Sequence, residues 1–111
     1  MPLTIINLVT GATGTATGSS SWVPIDHKRL KDGNIPISIF GSAATAFTGS
    51  VVMWGAVGTA DEVNSGDNSG APIGGGELTA DISTSLFCAF THIKAVCGTY
   101  TTGPFSLRIL L

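Results

Sequence analysis

The sequence predicts an all-β fold, either an antiparallel β-sandwich or a jelly-roll-like barrel. Short runs of alternating apolar residues recur along the chain, and turns rich in glycine, threonine and serine separate them. Residues that build amphipathic helices are scarce, since Gln is absent and Glu is rare. We therefore expect no helix beyond single turns at residues 42–46 and 81–86.

The chain of 111 residues is expected to form one domain preceded by an arm. Residues 3–9 are rich in β-branched side chains and predict a short strand. Residues 10–21 carry no charge and consist entirely of Gly, Thr, Ser and Ala, which is typical of a linker. We interpret residues 1–20 as an N-terminal strand and flexible arm with a Gly/Thr/Ser-rich linker, and residues 21–111 as the β-sandwich domain.

Alternation of apolar and polar residues places the strands of this domain. The predicted strands cover residues 21–25, 35–40, 47–57, 77–82, 87–96 and 105–111. The second of them puts Ile35, Ile37 and Ile39 on one face. The last two are expected to pair as a hairpin. The polar segment 26–34 predicts a turn, and the polar, Gly-rich segment 59–76 predicts a mobile surface loop.

Charged residues are few and segregated. They make up 11% of the chain, against about 25% in a typical protein, and the net charge is −2. All but Lys94 and Arg108 lie within residues 26–32 and 61–81, so the predicted strands are almost uncharged on both faces. An antiparallel sheet that faces water normally carries charges on its outer face and edges. Either these sheets present a neutral Ser/Thr surface to solvent, or other polypeptides cover them.

We favour coverage by other polypeptides, because a small domain cannot bury two apolar faces by itself. A homo-oligomer of closed symmetry, such as a trimer, is the expected form. The candidate interface residues lie on the arm or opposite a core-facing strand face. They are Leu3, Ile5, Ile6, Leu8, Trp22, Phe40, Phe90 and Leu110.

No catalytic, cofactor or metal site is expected. His27 adjoins Asp26 but lacks a nucleophile and an oxyanion hole. Cys88 and Cys97 form no metal-binding motif and are expected to remain thiols. The oxygen-rich residues 61–68 depart from the spacing of a calcium loop, and the glycine runs match no phosphate-binding motif. The protein is therefore not expected to be an enzyme.

Nucleic acid and membranes are not expected partners. The five basic residues form no patch for nucleic acid, and no apolar run is long enough to cross a membrane. The first residues lack the pattern of a signal peptide, so we expect synthesis in a cytoplasm.

The segments WVPI (22–25), IPISI (35–39), FTHIKAV (90–96) and GTYTTGPFSLRI (98–109) resemble small β-sandwich virion proteins of tailed bacteriophages. In those proteins a strand of this kind leads through a Gly/Thr turn into a terminal strand. The resemblance implies a virion structural protein, most specifically a capsid decoration or cement protein. It also implies contacts with other copies and with the major capsid or other virion proteins, and localisation in the virion.

The alternative is a carbohydrate- or receptor-binding tip module of a phage tail or fibre. Trp22 and Trp54 are candidates for stacking on a sugar, and Trp22 is the better one because Trp54 lies in an apolar run. This alternative predicts an exposed aromatic side chain with polar partners near Trp22 or within residues 59–76.

Overall fold

The computed structural model describes residues 5–12, 18–30, 32–42, 45–102 and 105–111. These residues contain one helix, α1 (Ala60–Ser65), and a 3-10 turn at His27–Arg29. The strands are β1 (Ile5–Ala12), β2 (Gly18–Ser19), β3 (Val23–Pro24), β4 (Asn34–Phe40), β5 (Thr48–Ala56), β6 (Ala71–Ala80), β7 (Ile82–Phe87), β8 (His92–Thr102) and β9 (Phe105–Leu110).

The strands form two antiparallel sheets that pack face to face. The four-stranded sheet has the order β1-β9-β4-β7. In the five-stranded sheet, β5 and then β6 lie on one side of β8, and the short strands β2 and β3 lie along its other side. The predicted all-β sandwich is therefore confirmed.

The core lies between the two sheets, and strand alternation selects it. Ile35, Ile37 and Ile39 of β4 are buried, as the sequence predicts. The same holds for β9, where Phe105, Leu107 and Ile109 are buried and Arg108 is exposed. The rings of Phe47 and Phe105 meet at a centroid distance of 4.6 Å, which joins the two layers.

The predicted hairpin of β8 and β9 is wrong. β8 is a central strand of the five-stranded sheet, whereas β9 is a central strand of the four-stranded sheet. The two strands therefore belong to different layers. Alternation shows which face of a strand is buried but does not identify its hydrogen-bonded neighbour.

The strand predicted near the N-terminus is present as β1, which is an edge strand of the sandwich and, in the described residues 5–12, is part of the domain. It pairs with β9 through Ile5–Leu110, Ile6–Ile109 and Asn7–Arg108. Ile6 and Leu8 pack against the core of their own chain. The predicted linker lies partly outside the described residues.

The predicted loop at residues 59–76 contains the helix α1 and the first part of β6. Thr59 caps the helix, since its hydroxyl accepts from Glu62 N–H while the Glu62 carboxylate accepts from Thr59 N–H. Gly66 ends the helix in the left-handed conformation, with φ of 89°. Val63 is buried beneath the helix. The turn expected at residues 81–86 is instead the strand β7.

Within the described part of the chain, no helix has the length and apolar character needed to span a membrane.

Candidate interaction surfaces

The predicted interface residues are divided among separate places in the fold. Leu3 lies outside the described residues. Ile6, Leu8 and Phe90 are half-buried and pack against the core of their own chain. The outer face of the four-stranded sheet carries Ile5, Phe40 and Leu110. Trp22 lies on the outer face of the five-stranded sheet, beside Lys94 of β8.

A polar row crosses the middle of the four-stranded sheet on its outer side. Arg108 Nε donates to Asn7 Oδ1 at 2.8 Å, and its guanidinium lies 4.9 Å from the centre of the Phe40 ring. Ser38 and Ser83 continue the row through a hydroxyl contact of 3.0 Å. The Arg108 guanidinium therefore contacts two neutral side chains of its own chain, one through a hydrogen bond and one through an aromatic ring.

Apolar side chains flank this polar row and shape a shallow concavity of about 700 Å³. Ile5 and Pro36 are exposed, Ile5 by 61%, while Phe40 and Leu110 are half-buried. Phe87 lies opposite Asn34 at the end of β7 and is 64% exposed. We call this outer surface of the four-stranded sheet the concave face. Apolar side chains are therefore accessible on both sides of the polar row.

The edges of the two sheets differ in their protection. In β6, Pro72 cannot donate to another strand, Glu77 adds a charge, and the register with β5 is interrupted near three consecutive glycines. In β3, Pro24 has the same effect on the opposite edge. The edge strand β7 has neither charge nor proline, and its pairing with β4 is regular throughout. β7 is therefore open to pairing with a further strand.

A cluster of two tryptophans and a lysine occupies the outer face of the five-stranded sheet. Lys94 Nζ lies 4.6 Å from the centre of the Trp22 ring and 5.7 Å from that of Trp54. Trp54 is the direct partner of Lys94 across β5 and β8. All three side chains are half-buried. We call this group the Trp–Lys cluster.

The position of the Trp22 ring depends on a glycine in the connection that follows α1. A Cβ built at Gly70 would lie 2.7 Å from Trp22 Cη2 and 3.2 Å from the Cβ of Ala56. Gly70 also has a φ of +69°, which a side chain would disfavour. The indole therefore packs closely against Gly70, next to the start of β6. Ala56, at the end of β5, is buried although it faces outward.

The histidines take part in local structure. His27 Nε2–H donates to the Phe90 carbonyl at 2.6 Å, and Asp26 accepts from Lys28 N–H. His92 is buried, and its Nδ1 contacts Thr91 Oγ1 at 2.9 Å. His27 and Asp26 thus bond to separate backbone groups and do not form a catalytic pair.

The cysteine thiols are free, and burial raises the pKa of both Cys88 and Cys97. A raised pKa keeps a thiol protonated and weakly nucleophilic. Within the described residues, no group of three or more His, Cys, Asp and Glu side chains is placed to hold a metal ion.

The oxygen-rich residues of the α1 segment serve the local backbone. Asn64 Nδ2 donates to the Ala60 carbonyl and Asn68 Nδ2 donates to the Val57 carbonyl. Hydrogen bonds from the Thr59 backbone and hydroxyl lower the pKa of Glu62.

Sequence reasoning missed the exposed position of Phe87 and the role of Lys94. The sequence predicts Phe87 at the start of a strand over residues 87–96, whereas in the structure Phe87 ends β7. Lys94 and Trp54 show no local motif, because their contact with Trp22 depends on how β3, β5 and β8 align. The alternating pattern of residues 90–96 does place Lys94 outward, and that is the signal that the sequence offers.

Comparison of the chain with protein-family models, with curated proteins and with solved structures gave no match.

Proposed function

We propose that this protein is a structural subunit of a tailed-phage virion, of the capsid decoration type, that acts through contacts with other copies and with other virion proteins. The observation that carries the proposal is the contrast between the two sheets. The four-stranded sheet combines an exposed apolar concave face with the unprotected edge β7. Proline, a charge and irregular register protect the edges of the five-stranded sheet.

The apolar side chains of the concave face supply the favourable term for its burial. Arg108 contacts the neutral groups Asn7 and Phe40, so a partner that covers the guanidinium has to supply an acceptor for it. Burying an exposed Ile or Phe side chain contributes about 1.5–3 kcal/mol. Repetition over many symmetric sites adds to this gain through multivalency.

A second copy of the chain is the occupant that the edge strand favours. Two β7 strands related by a two-fold axis perpendicular to the sheet pair antiparallel, with equivalent faces on the same side. The axis then passes beside a residue, such as Thr84 or Ser85 in the middle of the strand, and not between two residues, because a residue-centred register keeps core-facing residues opposite core-facing residues. The strand carries no charge, so identical copies do not repel each other there.

Light scattering on the purified chain tests self-assembly. We expect the wild type to form an oligomer at micromolar concentration and the double variant Thr84→Lys/Phe87→Lys to be monomeric, since both positions are exposed. The matched control is Thr79→Lys on the protected edge β6, which should remain oligomeric. A wild type that stays monomeric at high concentration would contradict assembly through β7.

The virion role is tested separately on purified particles of the virus that encodes the chain. Mass spectrometry should find the protein at a copy number that matches a symmetric set of capsid sites. Its absence from the particles would rule out the virion role, whatever its oligomeric state.

A further inference from the structure

We propose that the Trp–Lys cluster is a binding site for an acidic sugar, in which the sugar carboxylate contacts the Lys94 ammonium and the ring packs beside the indoles. The cluster lies on the five-stranded sheet, on the opposite side of the molecule from the concave face. The inference therefore does not depend on the proposed assembly function.

Lys94 supplies a positive charge that the described residues leave without an ionic partner. Its ammonium contacts two aromatic rings, at 4.6 Å and 5.7 Å, and forms no ion pair within the described part of the chain. The outward residues beside it on the same strand are His92, which is bonded to Thr91, and the apolar Val96. On the same side of the sheet, the Glu77 carboxylate accepts from Ser50.

The cluster offers hydrogen-bond donors and no acceptor. The ammonium is one donor, and the indole Nε1–H groups of Trp22 and Trp54 are two more. Neither indole N–H has an acceptor among the described residues, and neither nitrogen is a buried atom without a partner, so both are accessible. An ammonium beside two indole rings, with no acceptor among these three side chains, favours an anionic ligand. A carboxylate accepts several such bonds at once, and they are stronger than bonds between neutral groups.

The aromatic part of the cluster favours a sugar as the carrier of that carboxylate. One face of a pyranose ring presents C–H groups, and it packs on the apolar body of an indole while the hydroxyl rim stays in water. The cluster is also held in place before binding. The β-ladder places Trp54 opposite Lys94, and Trp22 packs against Gly70. A rigid site loses little conformational entropy when a ligand binds.

Titration with acidic oligosaccharides, followed by nuclear magnetic resonance and tryptophan fluorescence, tests the site. The probes are tetragalacturonate, a hyaluronan tetrasaccharide and a sialic acid oligomer, with methyl-esterified tetragalacturonate as the uncharged match. We expect at least one acid to bind at millimolar concentration or below and to perturb the resonances of both indoles. For tetragalacturonate, the ester should bind at least about tenfold more weakly than the acid, because esterification removes the charged partner of Lys94.

Lys94→Met is the decisive variant, because it removes the charge and keeps an unbranched apolar stem over the indoles. It should retain the wild-type melting temperature and lose at least about tenfold in affinity for the acidic probe that binds. Lys28→Met, which removes an exposed lysine from the 3-10 turn, is the matched control and should bind as the wild type does. Failure of every acidic probe to bind, or equal affinity of the wild type and Lys94→Met, would overturn the site.

Discussion

The Asp81 carboxylate accepts a hydrogen bond from the backbone N–H of Phe47 at 2.8 Å and another from Gly41 at 2.9 Å. Asp81 lies between β6 and β7, which belong to different sheets. Gly41 follows β4 and Phe47 precedes β5, and these two strands also belong to different sheets. The Asp81 side chain therefore links the end of β4 and the start of β5 to the junction of β6 and β7.

We expect Asp81→Ala to lower the free energy of unfolding by about 1–3 kcal/mol, because two backbone donors lose a charged acceptor. Urea denaturation followed by tryptophan fluorescence measures the change. Asp81→Asn keeps one acceptor oxygen, so its free energy of unfolding should fall by less than that of Asp81→Ala. An alanine variant as stable as the wild type would show that water replaces the carboxylate without cost.

Gly55 is required by the ring of Phe90. A Cβ at residue 55 would lie 2.5 Å from Phe90 Cγ, and the glycine is buried in the middle of the sheet. We expect Gly55→Ala to destabilise the fold by roughly 1–3 kcal/mol through overpacking, as measured by thermal unfolding. Gly74→Ala is the matched control, because a Cβ there meets nothing within 4 Å. If both variants unfold at the same temperature, Phe90 moves aside without cost.

The pairing of β1 with β9 predicts the effect of truncation. Deletion of residues 1–9 removes Ile6 and Leu8 from contact with the core and exposes the backbone groups of β9. We expect a lower melting temperature and weaker amide-exchange protection along β9. A free arm would give the opposite result, namely reduced assembly with unchanged stability of the monomer.

The sequence predicts which face of a strand is buried, but it does not predict which strands pair with each other. Burial along β4 and β9 follows a period of two residues, which is a local property. The bond between Arg108 and Asn7 joins residues 101 positions apart, and the contact of Lys94 with Trp22 depends on where β3 aligns with β8. Such non-local pairings have no signature in a single sequence.

The helix α1 is a different case, because its signal was present in the sequence. Thr59 and Glu62 have the spacing of a capping box, and Gly66 follows at the position of a C-cap. The surrounding glycines and serines are typical of a loop, and the helix is short and buries one apolar side chain, Val63. Its apolar periodicity is therefore too weak to identify it.

Thr91 joins the end of β5 to the start of β8, and this contact predicts the effect of a nearly isosteric substitution. Its hydroxyl accepts from Gly58 N–H at 2.9 Å and lies 3.0 Å from both the Ala56 and the Gly58 carbonyl, to one of which it donates its single hydrogen. We expect Thr91→Val to lower the free energy of unfolding by about 1–3 kcal/mol, since partly buried polar groups lose their partner. Thr91→Ser retains the hydroxyl and should lose less stability. Equal losses in urea denaturation would assign the effect to the methyl group.

The capping box of α1 predicts a pH dependence. Hydrogen bonds from the Thr59 backbone and hydroxyl lower the pKa of Glu62 from its ordinary value of 4.5. The ionised carboxylate is therefore favoured by folding, and its stabilising contribution is complete above the unfolded pKa and lost as the pH falls through the lowered folded pKa. We expect Glu62→Gln to be less stable than the wild type at neutral pH, with the difference shrinking as the pH falls below 4.5. Urea denaturation of both proteins across this range measures it. As a control, Thr59→Ala is added to both proteins, which removes the hydroxyl contribution to the pKa shift. The stability difference between the two proteins should then depend less on pH. An unchanged pH dependence would mean that other groups set the titration of Glu62.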